Sequence, residues 1–110
     1  MKYYITTTLP YVNAKPHIGF ALEIVQADAL ARYHRLRGNE VIFNTGTDEH
    51  GQKIYEKAIK EGKEPKAYVD EYAAKFDALK GALNLSYTNF IQTSDPKHAA
   101  AAQEFWKRCE

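Results

Sequence analysis

An apolar run halted by a proline, a loop closed by a second proline, and a helical pattern with a glycine in its first turn occupy Thr6 to Leu22, TTTLPYVNAKPHIGFAL. Pro10 and Pro16 bar regular structure between them, so one element ends before Pro10 and another begins at His17-Ile18-Gly19. A helix that starts where a strand stops turns its unpaired N–H groups, and the positive end of its dipole, toward whatever lies there. A glycine in that turn lets a ligand approach the backbone. Phosphate suits such a place, and His17 adds a donor beside it. Gly19 would serve helix packing equally well, and the pattern alone leaves both uses open.

The flanking segments predict an α/β order. Tyr3 to Leu9 is rich in β-branched and aromatic residues and reads as a buried strand. From Ile18, the residues Ile18, Leu22, Val25, Ala29, Tyr33 and Leu36 recur at spacings of three and four, which predicts a helix of about five turns with that stripe packed down. Arg32, Arg35 and Arg37 load its last turns, and Gly38 supplies the stop. Glu23 lies with Gly19 and Gln26 on a different stripe, where it either looks toward the helix N-terminus or is simply solvated. Glu40 to Thr45 reads as a second strand, ending in Gly46-Thr47-Asp48-Glu49-His50-Gly51.

Strand, helix, strand predicts a βαβ crossover with parallel strands. Ligands of such sheets collect outside the carboxyl ends of the strands, so the Pro10–His17 and Gly46–Gly51 loops are expected at one edge. Asp48, Glu49 and His50 have the residue types of metal ligands, but no second cluster completes a coordination set, and no metal is expected. Asp48 fits better as an acceptor for a cationic substrate group, with a solvated loop acid as the plain alternative.

Further on, Ile54, Tyr55, Ala58 and Ile59 predict a short helix closed by Gly62. Glu64-Pro65 opens another, with proline at the first helical position. Val69, Tyr72, Phe76, Leu79 and Leu83 predict one continuous core-facing stripe, weakened near its end by Gly81. Leu85 to Thr93 reads as a third, short strand. Ser94-Asp95-Pro96 caps a last helix, whose pattern of Ala99, Ala102, Phe105 or Trp106, and Cys109 reaches Glu110 without a stop signal. That unfinished pattern carries the expectation that the chain is a piece of something longer.

Length and composition bound the rest. With 110 residues, 45% hydrophobic and 26% charged, the chain has the balance of one ordinary folded domain and not of a disordered segment. A formal charge of +1 gives no whole-chain electrostatic case for nucleic acid, so any such claim must come from a motif. No apolar run is long enough to span a bilayer, and the N-terminus lacks the apolar core of a signal peptide. The single Cys109 cannot form an internal disulfide and fits a reducing compartment, so a cytoplasmic location is expected.

With these residues in place, the sequence resembles the N-terminal part of a class I aminoacyl-tRNA synthetase, and within that class the methionyl-tRNA synthetase family. The signature His-x-Gly-His is met by His17-Ile18-Gly19-Phe20. More discriminating are Leu9-Pro10-Tyr11-Val12-Asn13-Ala14, the run from Ala27-Asp28 through Arg32-Tyr33-His34-Arg35 to Gly38, and Gly46-Thr47-Asp48-Glu49-His50-Gly51.

The resemblance implies a Rossmann-like catalytic domain, a parallel sheet flanked by helices, of which residues 1–110 are the N-terminal portion. It implies activation of methionine with ATP and Mg2+, followed by transfer to tRNA(Met). Leu9, through its backbone, and the Asp48 carboxylate would hold the methionine ammonium, and Tyr11 would close over the amino acid. His17 would act catalytically at ATP together with Gly19 and Glu23, with Phe20 at the last signature position. Phe20 replaces a histidine there and cannot donate to phosphate; loss of one such donor typically costs about 3–4 kcal/mol of transition-state stabilisation. The family's Lys-Met-Ser-Lys-Ser loop, zinc-bearing insertion, anticodon-binding helices and later methionine-pocket aromatics have no counterpart in these residues. The chain alone is therefore expected to be inactive, and zinc is expected only elsewhere in the parent. Two other readings are another class I-type nucleotidyl transferase, and a noncatalytic tRNA-associated module in which Phe20 has removed the chemistry.

Overall fold

The computed structural model describes residues 1–110. Three parallel strands, β1 (Lys2–Thr6), β2 (Glu40–Thr47) and β3 (Asn89–Gln92), form a sheet in the order β1-β2-β3. Ile5 faces Phe43 across the first pair and Gly46 faces Ile91 across the second. Helix α1 (Ile18–Leu36) connects the first two strands. Helices α2 (Gln52–Lys60), α3 (Pro65–Asp77) and the short α4 (Leu79–Ala82) connect the next two, and α5 (Pro96–Cys109) follows β3. The parallel α/β architecture is the one the element order predicts.

The core lies where α1 and α3 pack against β2. Val41 and Phe43 of β2 meet Ile24, Ala27 and Ala31 of α1 and Tyr68 and Phe76 of α3, and Leu85 and Tyr87 close the cluster from the segment before β3. α5 is capped and both α3 and α5 open with proline as the sequence predicts, and the Glu64 side chain adds a cap to α3. Glu64 and Asp95 accept from the first-turn amides of α3 and α5, and each is followed by a proline.

Helix α1 buries a different face from the one its apolar spacing predicts. Ile18 is 88% exposed, and Leu22, Val25, Tyr33 and Leu36 also face outward, whereas Phe20, Ile24, Ala27, Asp28 and Ala31 are buried. Two stripes of this helix carry apolar residues, and the stripe that docks is the one whose small Ala27 and Ala31 let the helix lie close to the sheet. An acid in its middle hides it from a count of hydrophobic residues. Three further expectations are corrected. β1 ends at Thr6 instead of Leu9 and is an edge strand with Tyr4 64% exposed. The chain then bends, the Thr7 hydroxyl meets that of Thr45 at 2.7 Å, and the Thr8 N–H turns to Glu23. The expected single helix through Leu83 breaks at Ala78, and the Tyr87 hydroxyl meets Asp77 at that break, its carboxylate Oδ1 at 2.5 Å and its carbonyl oxygen at 3.1 Å. The third strand is shorter than Leu85–Thr93, because Leu85 and Tyr87 are core residues outside the ladder.

Asp28 ties α1 to the approach to β3. Its Oδ1 accepts from the N–H and hydroxyl of Ser86, both at 2.6 Å, and its Oδ2 accepts from Arg32 Nε at 2.6 Å. Arg32 continues to the Asn84 carbonyl, and Arg35 donates to Ser86 Oγ at 2.6 Å and to its carbonyl at 2.9 Å. Burial by itself would raise the Asp28 pKa, but the bonds from Ser86 and Arg32 more than offset it and hold the carboxyl below its ordinary value of 3.8. A carboxyl depressed in this way stabilises the fold above its unfolded pKa, and the contribution is lost as pH falls through the folded value. Asp28→Ala is therefore expected to cost about 2–3 kcal/mol at neutral pH, with the gap to the parent chain narrowing below pH 3.8. Urea unfolding at pH 7 and at pH 3 checks this, and an equal gap at both would contradict it.

Candidate functional site at the carboxyl ends of the strands

Beyond the last rungs of β1 and β2 the two chains keep pairing for one more step. The Asp48 N–H donates to the Pro10 carbonyl at 2.9 Å, the Val12 N–H donates to the Asp48 carbonyl at 3.1 Å, and Tyr11 and Asp48 form a parallel bridge. Val12, completely buried, anchors this stitch in the core. The Pro10–His17 and Gly46–Gly51 loops thus meet at one edge of the sheet, as the βαβ order predicts. Gly51 makes room for the other side of Tyr11. Its φ is 139°, and a Cβ there would lie 2.2 Å from the Tyr11 hydroxyl oxygen. The Lys57 ammonium of α2 donates to the Asn13 carbonyl and holds the loop from below.

His17 is the N-cap of α1, and its Nδ1 accepts from the Gly19 N–H at 3.0 Å. The Gly19 amide is therefore engaged and not free for a ligand. Because Nδ1 is an acceptor, the ring proton of the neutral imidazole sits on Nε2, which is the atom left to donate. Glu23 is not a solvated acid: its Oε1 accepts from the Thr8 N–H at 2.6 Å, joining α1 to the end of β1. Phe20 is 8% exposed and packs edge-on against Phe76, with centroids 5.4 Å apart and planes at 79°. The ring at the last signature position is held by α3 as part of the core.

Tyr11, His17, Gly19, Phe20 and Glu23 line one cleft of about 380 Å³, with Thr8, Asn13 and Phe76. Leu9 and Asp48 are not in its wall; they adjoin it through Pro10 and Tyr11. No three His, Cys, Asp or Glu side chains converge as metal ligands would. Of the three candidates in the second loop, Glu49 turns inward while His50 stays exposed, its Nε2 3.1 Å from the Thr93 carbonyl oxygen. The buried state of Glu49 escapes a reading by residue type. The signal that points to it is the row of hydroxyls at the strand ends, Thr47, Thr93 and Ser94.

A family model described as "tRNA synthetases class I (M)" matches residues 3–110. The chain belongs to this family. Among its relatives, the methionine–tRNA ligase of Thermosynechococcus vestitus is 52% identical over 104 residues, 94% of this chain and 20% of that protein. The ligase of Thermotoga maritima is 49% identical over 105 residues, 96% of this chain and 17% of that protein. In structure, the chain is similar to a Mycobacterium tuberculosis methionyl-tRNA synthetase in complex with methionyl-adenylate. The TM-score is 0.94 and the identity 43%, over 98% of this chain and 21% of the synthetase. The fold is thus the Rossmann-like one of the class I synthetases. The chain spans about one fifth of the length of these relatives. No helix is long and apolar enough to cross a membrane.

Proposed function

We propose that residues 1–110 form the N-terminal portion of the catalytic domain of a cytoplasmic methionine–tRNA ligase. In this reading they supply the edge at which methionine and ATP meet. The parent joins methionine to ATP, with its Mg2+, to give methionyl-adenylate, and then transfers the aminoacyl group to tRNA(Met). The observation that carries the reading is the stitch between Tyr11 and Asp48 beside a cleft capped by His17. It occurs in a chain that shares its fold and 43% of its residues with a synthetase holding methionyl-adenylate.

In this reading a methionine carboxylate oxygen attacks the α-phosphorus and pyrophosphate leaves. The protein does little covalent work; it positions the reactants and meets their charge. The Asp48 carboxylate and the backbone at Leu9 take the methionine ammonium, and Tyr11 covers the amino acid. His17 donates through Nε2 to the phosphates at the positive end of α1. Gly19, beside the nucleotide, leaves room for the His17 ring, whose Cε1 would lie 2.8 Å from a Cβ there. Glu23 fixes the Thr8 backbone and faces the nucleotide side, with Phe20 forming the floor of the cleft.

Methionine-dependent exchange of pyrophosphate into ATP tests this. A full-length ligase carrying this segment is expected to catalyse exchange with methionine in preference to other amino acids. Residues 1–110 alone are expected to show none, because they lack the rest of the site. Exchange driven by another amino acid, or none from the full-length protein, would refute the proposal.

A further inference from the structure

Glu49 is the most deeply buried acid at the strand ends, 4% exposed. Its Oε1 accepts from the Thr47 hydroxyl and from Gln92 Nε2, each at 2.9 Å. Its Oε2 accepts from the Ser94 N–H at 3.3 Å and from the Ser94 hydroxyl. Its own N–H donates to Thr93 Oγ1 at 2.8 Å. A buried carboxylate is costly unless its lone pairs are met, and here donors from the ends of both β2 and β3 meet them. The result is a latch between the loop after β2 and the loop after β3.

Asp48 lies between two clamps. Its own N–H and carbonyl are bonded to the loop after β1, and the next residue is locked to the loop after β3. With both flanks held, the main-chain dihedrals of Asp48 are fixed, and so is the direction in which its Cα–Cβ bond projects. We infer that Glu49 is a positioning residue, which acts through Asp48 to aim a carboxylate at the ammonium group of the amino-acid substrate. The inference rests on the ammonium role of Asp48 proposed above.

An amide at this place can keep the latch. In Glu49→Gln, an oxygen facing Ser94 still accepts its N–H. The NH2 then meets the Thr47 hydroxyl, which can turn to accept; the Gln92 bond is the one given up, because its Nε2 also donates to Asp70 at 3.3 Å and stays turned that way. Glu49→Ala keeps none of these side-chain bonds and is left with only its main-chain N–H to Thr93 Oγ1. Geometry, and not the charge itself, is what the latch transmits.

The test is steady-state pyrophosphate exchange in a full-length ligase carrying this segment, unsubstituted and as Glu49→Ala and Glu49→Gln. Glu49→Ala is expected to raise the KM for methionine tenfold or more, while the KM for ATP stays within twofold. Glu49→Gln is expected to return the methionine KM to within about threefold of the unsubstituted protein. An unchanged methionine KM in Glu49→Ala overturns the inference, and so does an equal rise for methionine and ATP, which marks general damage. Should Glu49→Ala fail to fold, Ser94→Ala, which removes one donor from the far side of the latch, must raise the methionine KM selectively or the inference falls. An unsubstituted protein without exchange overturns the proposed function instead, a result separable from any of these.

Discussion

Asp48→Ala in the full-length ligase is expected to weaken methionine use by tenfold to a hundredfold while ATP use hardly changes. A charge-assisted hydrogen bond of the kind proposed between this carboxylate and the methionine ammonium contributes about 1.5–3 kcal/mol, and each 1.4 kcal/mol is about tenfold in affinity. The selectivity follows from the backbone. Asp48 is held to Pro10 and Val12 by main-chain bonds, so truncating its side chain leaves the stitch between the two loops in place. His17 and Gly19, proposed for the nucleotide, lie at the start of α1 and line the cleft with Tyr11, whereas Asp48 is not in its wall. Separate KM values for methionine and ATP in the exchange assay decide the matter. No effect on either would mean that Asp48 is only a solvated loop acid, and parallel losses would mean that the loop itself had moved.

Gly46→Ala is expected to do more damage than any loop substitution. A Cβ at this position would lie 1.9 Å from the Ile91 carbonyl oxygen and 2.7 Å from the Ile91 nitrogen and carbonyl carbon. All three are backbone atoms of the neighbouring strand, so no rotamer change relieves the clash, and β2 and β3 must separate. Overpacking costs about 1–3 kcal/mol where side chains can yield; a clash with a ladder is expected at or above the top of that range. Because β3 is four residues long, it has little pairing with which to resist. Urea unfolding should show the loss, and amide exchange at Asn89 to Gln92 should lose protection. Gly81→Ala is the matched control: nothing lies within 4 Å of its added Cβ. It is expected to be neutral or to stabilise by up to about 1 kcal/mol. Equal effects at the two glycines would refute the close-approach account.

Much of this was readable because the signals are local. Pro10 and Pro16 bracket the loop, Pro65 and Pro96 open helices behind capping acids, and the βαβ order alone puts Tyr11 and Asp48 on one edge. The failures share a cause. Asp28 is buried because Ser86, 58 residues away, meets its charge, and Glu49 because Ser94, 45 residues away, does the same. A window of sequence holds the acid and one near partner, Arg32 or Thr47, but not the donors from Ser86 or Ser94 that complete its bonding, so it gives no sign of the burial. The misread face of α1 follows from the first case, since an acid on the docking stripe makes the outward stripe look like the better core.

The order β1-β2-β3 also sets a sequence of events during synthesis. Each of these three strands pairs with the one made just before it, so they can join in the order in which they are made. The bonds that join Pro10 and Val12 to Asp48 need nothing beyond the first two strands and α1. The latch on Glu49 waits for Ser94. At about 5–20 residues per second that residue follows only after a delay of seconds. The edge proposed for methionine is thus assembled early and rigidified late, and the nascent chain must carry Glu49 without Gln92 and Ser94 through that interval.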